Sequence, residues 1–142
     1  MRTLSDKKNN AIDLVCGLIN THQNKTNCNT MQQLARLYYA ESIPAELVQF
    51  DTNNLYGAIV SLWDGVKQRQ ANEVKIRVYN PNYDEHQWHT SHTTVDIICD
   101  DKAFLVSSIT NALGHLGHTI HTTTHPVVAV ERDTKGKVTS IT

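Results

Sequence analysis

Residues 93–132 read TTVDIICDDKAFLVSSITNALGHLGHTIHTTTHPVVAVER, a strand, an acidic turn, an amphipathic helix and a second long strand. Val95, Ile97 and Cys99 alternate with Thr94, Asp96 and Ile98, the period of a strand with one buried face. Asp100 and Asp101 then interrupt the run, and either carboxylate is placed to accept the free amides of a helix start. Leu105, Ile109, Ala112, Leu113 and Leu116 recur at helical spacing and predict one apolar stripe, with Leu113 facing Val95 and Ile97. Gly117 sits where a left-handed residue closes that helix. Residues 119–131 are rich in Thr, Val and Ile, which favours a strand. Pro126 places that strand at a sheet edge, since proline has no amide to give to a ladder.

Upstream, Ser5 is a candidate cap for a first helix through about Asn20, with Ile12, Val15, Cys16 and Ile19 on its apolar face. The polar, Asn-rich run 21–29 reads as a loop, and Thr30 as the cap of a second helix bearing Met31, Leu34 and Tyr38. Pro44 fits the first turn of a short helix through Val48. Asp51 or Thr52 caps the next, whose stripe is Leu55, Ile59, Leu62 and Val66, extended by Trp63. Val74, Ile76 and Val78 alternate with Lys75, Arg77 and Tyr79, a strand with one wet face. A polar loop, 80–92, joins it to the strand at 93–99. Downstream, Asp133-Thr134-Lys135-Gly136 reads as a hairpin turn into a last strand, 137–142. The organisation is a helical leader, residues 1–50, and an α+β unit, residues 51–142.

The strand–Asp–helix–Gly–strand pattern resembles an ACT domain, a small regulatory module. The segments NLYGAIVSLW, KIRVYNP, VDIICDDKAFLVSSI and HPVVAVERD, in that order, resemble the N-terminal ACT-like region of the large bacterial NAD-specific glutamate dehydrogenases. The resemblance implies an ACT/ferredoxin-like α+β sandwich: a mainly antiparallel four-stranded sheet with two helices on one face, preceded by the helical leader. An ACT domain runs β-α-β-β-α-β, and the order here is that order with the last helix and strand moved to the front. Strand 74–80 then pairs with 93–99, and 137–142 lies between 93–99 and 119–131. A chain cut short before a further helix and strand is the other way to read this order.

The chain has 142 residues, 39% apolar and 19% charged, with a formal net charge of −1. That suits a soluble globular unit and supplies no field for nucleic acid. No apolar run approaches the roughly 18 residues of a membrane span, and the start, MRTLSDKKNN, lacks the apolar segment of a signal peptide. Cys16, Cys28 and Cys99 are scattered, which suits inert thiols in a reducing, cytoplasmic compartment.

Three groups of residues invite chemistry. The histidines cluster in sequence as His86, His89 and His92 and as His115, His118, His121 and His125. They fall on different elements without a ligand framework, so solvated side chains are expected and no metal. Arg69, Lys75 and Arg77 read as a solvated basic face, and Trp88 as packed against the domain or a neighbouring one. Asp100, Asp101, Lys102, Ala103 and Phe104 form the third group. In the ACT family this loop binds effector amino acids through an Asp followed by Pro-Gly; here Ala103 and Phe104 stand in place of that pair. The expectation is poor binding of free amino acids. No dinucleotide fingerprint or P-loop occurs, so no catalytic residue is expected here. NAD, by the resemblance, belongs to the parent enzyme outside these residues. The expected function is a noncatalytic regulatory or assembly domain whose partners are the rest of the parent chain, further copies in a homo-oligomer and an amino-acid effector. The alternative is a self-contained amino-acid-binding module, with a histidine-based metal hydrolase third.

Overall fold

The structure, a computed structural model, describes residues 2–142. Its first half is helical. Helix α1, Leu4–His22, starts at a capping box in which Thr3 and Asp6 satisfy each other's amides, so the cap is Thr3 and not Ser5. Helix α2, Lys25–Ala40, is capped by Asn24, whose side chain accepts from the Asn27 amide at 3.1 Å. It therefore begins inside the run expected to be a loop; the same Asn chemistry that opens loops also caps helices. Helix α3, Pro44–Leu47, has proline in its first turn, and α4, Thr52–Val66, is capped by Asp51.

The core sits where α1, α2 and α4 meet. Val15, Ile19, Met31 and Ile59 are its largest fully buried side chains, joined by Leu34, Leu55, Trp63, Val66 and Ile141. It thus draws residues from both sides of position 51. Tyr39 is buried there and donates its hydroxyl to the Leu55 carbonyl at 2.7 Å. Burial holds that phenol well above the usual tyrosine range and pushes its neighbour Tyr38 up to about 12.

Two antiparallel hairpins complete the fold. Strands β1, Lys75–Tyr79, and β2, Thr94–Ile98, pair with Arg77 opposite Asp96 and Ile76 opposite Ile97. The loop between them carries a one-turn helix, α5, Tyr83–His86. Strands β3, Val130–Arg132, and β4, Val138–Ile141, form the second hairpin across the expected 133–136 turn. The expected four-stranded sheet is instead two sheets of two strands. The free edge of β4 is already taken: Lys137 bridges Gln68, the Val138 amide donates to the Lys67 carbonyl at 3.0 Å, and the Arg69 amide to the Gly136 carbonyl at 3.0 Å. No edge remains there for β2.

Two further expectations are corrected. The strand expected over 119–131 is extended but unpaired until Ala129, whose amide and carbonyl bond to Thr142. Thr124, Pro126 and Val128 alternate inward along this strap while their neighbours are exposed. Helix α6, Leu105–His115, has no buried residue; Leu113 is half-buried and Leu116 is 72% exposed. Its stripe does not seal onto Val95, which is itself exposed.

The β1–β2 hairpin also faces the opposite way from its hydrophobic pattern. Lys75, Arg77 and Tyr79 turn toward α4, while Val74, Ile76 and Val78 stand outward at 54%, 64% and 64% exposure. The reason is what α4 presents to it. Ser61 offers a hydroxyl, and the helix end offers unpaired carbonyls, which cations satisfy and aliphatic side chains do not.

A candidate effector loop and the polar seam beside it

The last turn of α4 leaves carbonyl groups without intrahelical partners. Lys75 reaches across from β1 and donates its Nζ to Gly65 O at 3.0 Å and Gln68 O at 2.7 Å. Arg132, from β3, donates to Val66 O and Gly136 O, both at 2.8 Å. Cations at a helix C-terminus also complement its partial negative charge. Burial, and then the nearby Arg69, lower the Arg132 pKa.

Arg77 is the centre of a second group. Its Nη2 lies 2.7 Å from Asp96 Oδ2, 2.8 Å from Ser61 Oγ, 3.1 Å from Ser61 O and 3.2 Å from the Tyr79 hydroxyl. The guanidinium carbon stands 4.1 Å over the Tyr79 ring, a cation–π contact. Tyr79 in turn packs on His86 and Trp88, and burial raises its pKa. The solvated basic face expected for Arg69, Lys75 and Arg77 is thus a tied seam. Along it runs a shallow cleft of about 210 Å³ lined by Leu62, Gly65, Lys75, Arg77 and Asp96, among others.

The loop 100–104 begins where this seam ends. Asp100 does not cap α6. It pairs with Arg69, whose side chain is 10% exposed and donates through both Nη1 and Nη2. The α6 N-cap is Phe104, in a left-handed conformation (φ 62°), 81% exposed and with no side-chain cap. Asp101, Lys102 and Ala103 are exposed. Of the five expected site residues, the structure therefore ties down Asp100 and turns the other four toward solvent. What this arrangement offers a ligand is the uncapped first turn of α6, which suits a small anion only weakly without a wall around it.

The histidines do not gather. His86 accepts the Asn82 amide, His89 stacks on Tyr83 and His92 on His121, while His115 ends α6. Among the described residues no three His, Cys, Asp or Glu side chains converge as a metal set. The three cysteines are free, and burial pushes the Cys16 thiol up. Trp88 is half-buried against Tyr79, beside Gly57. Sequence reasoning missed Ser61, Asp96 and Arg132. The signal available for Asp96 was an acid and a base at matched positions of two antiparallel strands, Arg77 opposite Asp96.

A family model described as "Glutamate dehydrogenase, ACT1 domain" matches residues 34–142. Among curated proteins, the NAD-specific glutamate dehydrogenase of Halomonas elongata is 36% identical over 99 residues, 70% of this chain and 6% of that protein. Its counterpart in Pseudomonas aeruginosa is 35% identical over 96 residues, 68% of this chain and 6% of that protein. The chain thus spans about 6% of the length of the relatives it matches. No solved structure gives a significant match. With most of its length, including both hairpins and the loop 100–104, inside the matched region, the chain belongs to the family of the glutamate dehydrogenase ACT1 domain.

Proposed function

We propose that the chain is a noncatalytic assembly and regulatory domain of an NAD-specific glutamate dehydrogenase, acting in the cytoplasm. In this reading the parent converts glutamate to 2-oxoglutarate and ammonia, and it holds NAD outside these residues. The domain contributes by contacts that differ between states of the parent, and copies of the parent associate as a homo-oligomer. Family membership and the small share of the relatives' length support a part within a larger enzyme. The three free cysteines are in keeping with a reducing compartment. No helix among the described residues is long and apolar enough to cross a membrane.

The observation that carries the reading is the outward face of the β1–β2 hairpin. Ile76, Val78 and, opposite Val78, Val95 stand on one face of the two strands, with Val74 just before them, and all four are 40% or more exposed. A contiguous aliphatic patch of this kind is a contact surface in search of a cover. We assign that cover to the rest of the parent enzyme. In this reading the loop 100–104, with Asp100 engaged by Arg69 and no Pro-Gly, binds a free amino-acid effector poorly.

The test is the pair Ile76→Lys and Val78→Lys, made both in this chain and in the full-length enzyme. In the chain alone the melting temperature should barely move, because both positions are exposed. In the full-length enzyme, light scattering should show weakened assembly and activity should fall. A full-length variant with native mass and native activity would overturn the assignment.

A further inference from the structure

The cleft between the last turns of α4 and the β1–β2 hairpin holds about 210 Å³, room for roughly seven non-hydrogen atoms at the ~30 Å³ a water occupies in the liquid. Leu62 of α4, Ile76 of β1 and Ile98 of β2 supply its aliphatic wall, and Gly65 adds no side chain to fill it. Four charged residues line it as well, and their partners decide its charge. Asp96 is matched by Arg77 at 2.7 Å and Asp64 by Lys67 at 3.0 Å. Lys75 donates to the neutral carbonyls of Gly65 and Gln68 and enters no ion pair among the described residues. The lining therefore carries one positive charge without a counter-charge. It also has hydrogen-bond capacity to spare. An ammonium has three protons to give, and Lys75 uses two. Arg77 makes all four of its hydrogen bonds through Nη2, while its Nη1 and Nε meet no protein acceptor and are not sealed from solvent.

We propose that this cleft binds a small monocarboxylate with a short, branched aliphatic body, its carboxylate on Lys75 and Arg77 and its hydrocarbon end against Leu62 and Ile98. One uncompensated positive charge calls for one negative charge, and a carboxylate has two oxygens to accept from both residues. Lys75 and Arg77 lie two positions apart on β1 and share its inward face, about 7 Å from one another along the strand, so one carboxylate can bridge their head groups. A phosphate would bring more charge than the lining leaves unmatched and would set polar oxygens against an aliphatic wall. An amine would meet the unmatched charge of Lys75 with its own. The wall rewards a hydrocarbon body by burial. A ligand held in this way touches β1 through Lys75 and Arg77 and α4 through Leu62 and Gly65, so occupancy fastens the hairpin to the helix end. The inference rests on this chain's own side chains and is tested without the parent, so it stands or falls apart from what covers the outward face.

The test is a ¹H–¹⁵N shift titration of this chain with isovalerate, isoamyl alcohol and isoamylamine, which share one branched skeleton and differ in charge. A ligand of this size in a shallow site binds in about the millimolar range. Isovalerate should give saturable shifts confined to residues 62–65, 75–77 and 96–98. One charge pair about 4 Å apart in a wet setting changes an equilibrium by roughly fivefold or more, so the alcohol and the amine should each bind at least about that much more weakly. Lys75→Met keeps the aliphatic stem without the charge and should weaken isovalerate by the same factor. Because Lys75 also ties the helix end, a second variant is needed that leaves those bonds alone. Gly65→Leu fills the cleft from α4, where a Cβ meets Ile98 at an ordinary 3.5 Å; it should melt close to wild type and lose the isovalerate shifts. Isovalerate without a saturable shift by about 100 mM, an alcohol or amine that binds as tightly, a folded Lys75→Met chain that binds as wild type does, or a Gly65→Leu chain that still binds would each overturn the proposal.

Discussion

Replacing Gly57 by alanine puts a methyl group where the main chain of the 80–92 loop already lies. A Cβ on Gly57 would stand 1.9 Å from Gln87 O and 2.6 Å from Gln87 C. The neighbour is backbone, and Gln87 is held left-handed (φ 66°) at the end of α5, so no side chain can swing aside. To reach an ordinary contact the loop must retreat by about 1 Å or more, and overpacking of this kind costs ~1–3 kcal/mol. The retreat strains the bond from the His89 amide to Asn54 Oδ1, 2.8 Å long. Asn54 is 4% exposed, and a buried group left unmatched costs a further ~1–3 kcal/mol. Against this, alanine gains ~1 kcal/mol of helix propensity over glycine. The balance is a loss of about 1–5 kcal/mol, or roughly 3–20 °C in melting temperature for a chain of this size. Gly17, in the middle of α1, is the control, because nothing lies within 4 Å of its Cβ position. Gly17→Ala should keep the propensity gain and raise stability by up to ~1 kcal/mol. Thermal and denaturant melts of the two variants decide the matter. A Gly57→Ala protein that melts at or above wild type would refute the packing of the loop on α4.

Ile59→Ala, at a fully buried position, should cost ~2–5 kcal/mol in a denaturant melt, while Leu113→Ala on α6 should cost under ~1 kcal/mol. Arg77→Met leaves Asp96, 18% exposed, without its partner and should cost ~1–2 kcal/mol, against under ~0.5 kcal/mol for Arg36→Met, whose pair with Asp13 is open to solvent. Asp133 accepts from the Lys137 and Lys135 amides in the hairpin turn, the Lys137 amide being the larger cause of its lowered pKa. A lowered folded-state value means the turn's contribution is present above the ordinary aspartate range and fades as pH falls through the folded value. Melts from pH 5 down to about 2 should therefore be flatter in Asp133→Asn than in wild type.

What could be read directly from the residues was local. Pro44, Asp51 with its 55–59–62–66 stripe, the 74–79 and 94–99 alternation and the Asp133–Gly136 turn each carry their own signal, and each element is present. What could not be read was set by distant partners. Alternation gives the period of a strand but not which side turns inward; that was decided by Ser61 and the carbonyls of α4, 10 to 16 residues away from Lys75 and Arg77. Asp100 has the right chemistry to cap α6, but Arg69, 31 residues earlier, competes for it and takes it. Thr-, Val- and Ile-rich sequence makes 119–129 extended, yet ladder formation needs an open edge, and β4 has given its own to residues 67–69. The loop 100–104 was legible as a place and not as a site, because its character depends on which of its groups are already engaged.

The two hairpins share no ladder, yet both are anchored on consecutive carbonyls of one helix end. Lys75 from the first and Arg132 with the Val138 amide from the second converge on residues 65–68, the end of α4. That makes the helix end a common pivot. Torque applied to the outward face of the first hairpin is not spread through a continuous sheet, which would resist it as a stiff plate. It loads the Lys75 bonds at that helix end and the Arg77 bonds to Ser61 one turn earlier, all on the helix that also carries the second hairpin.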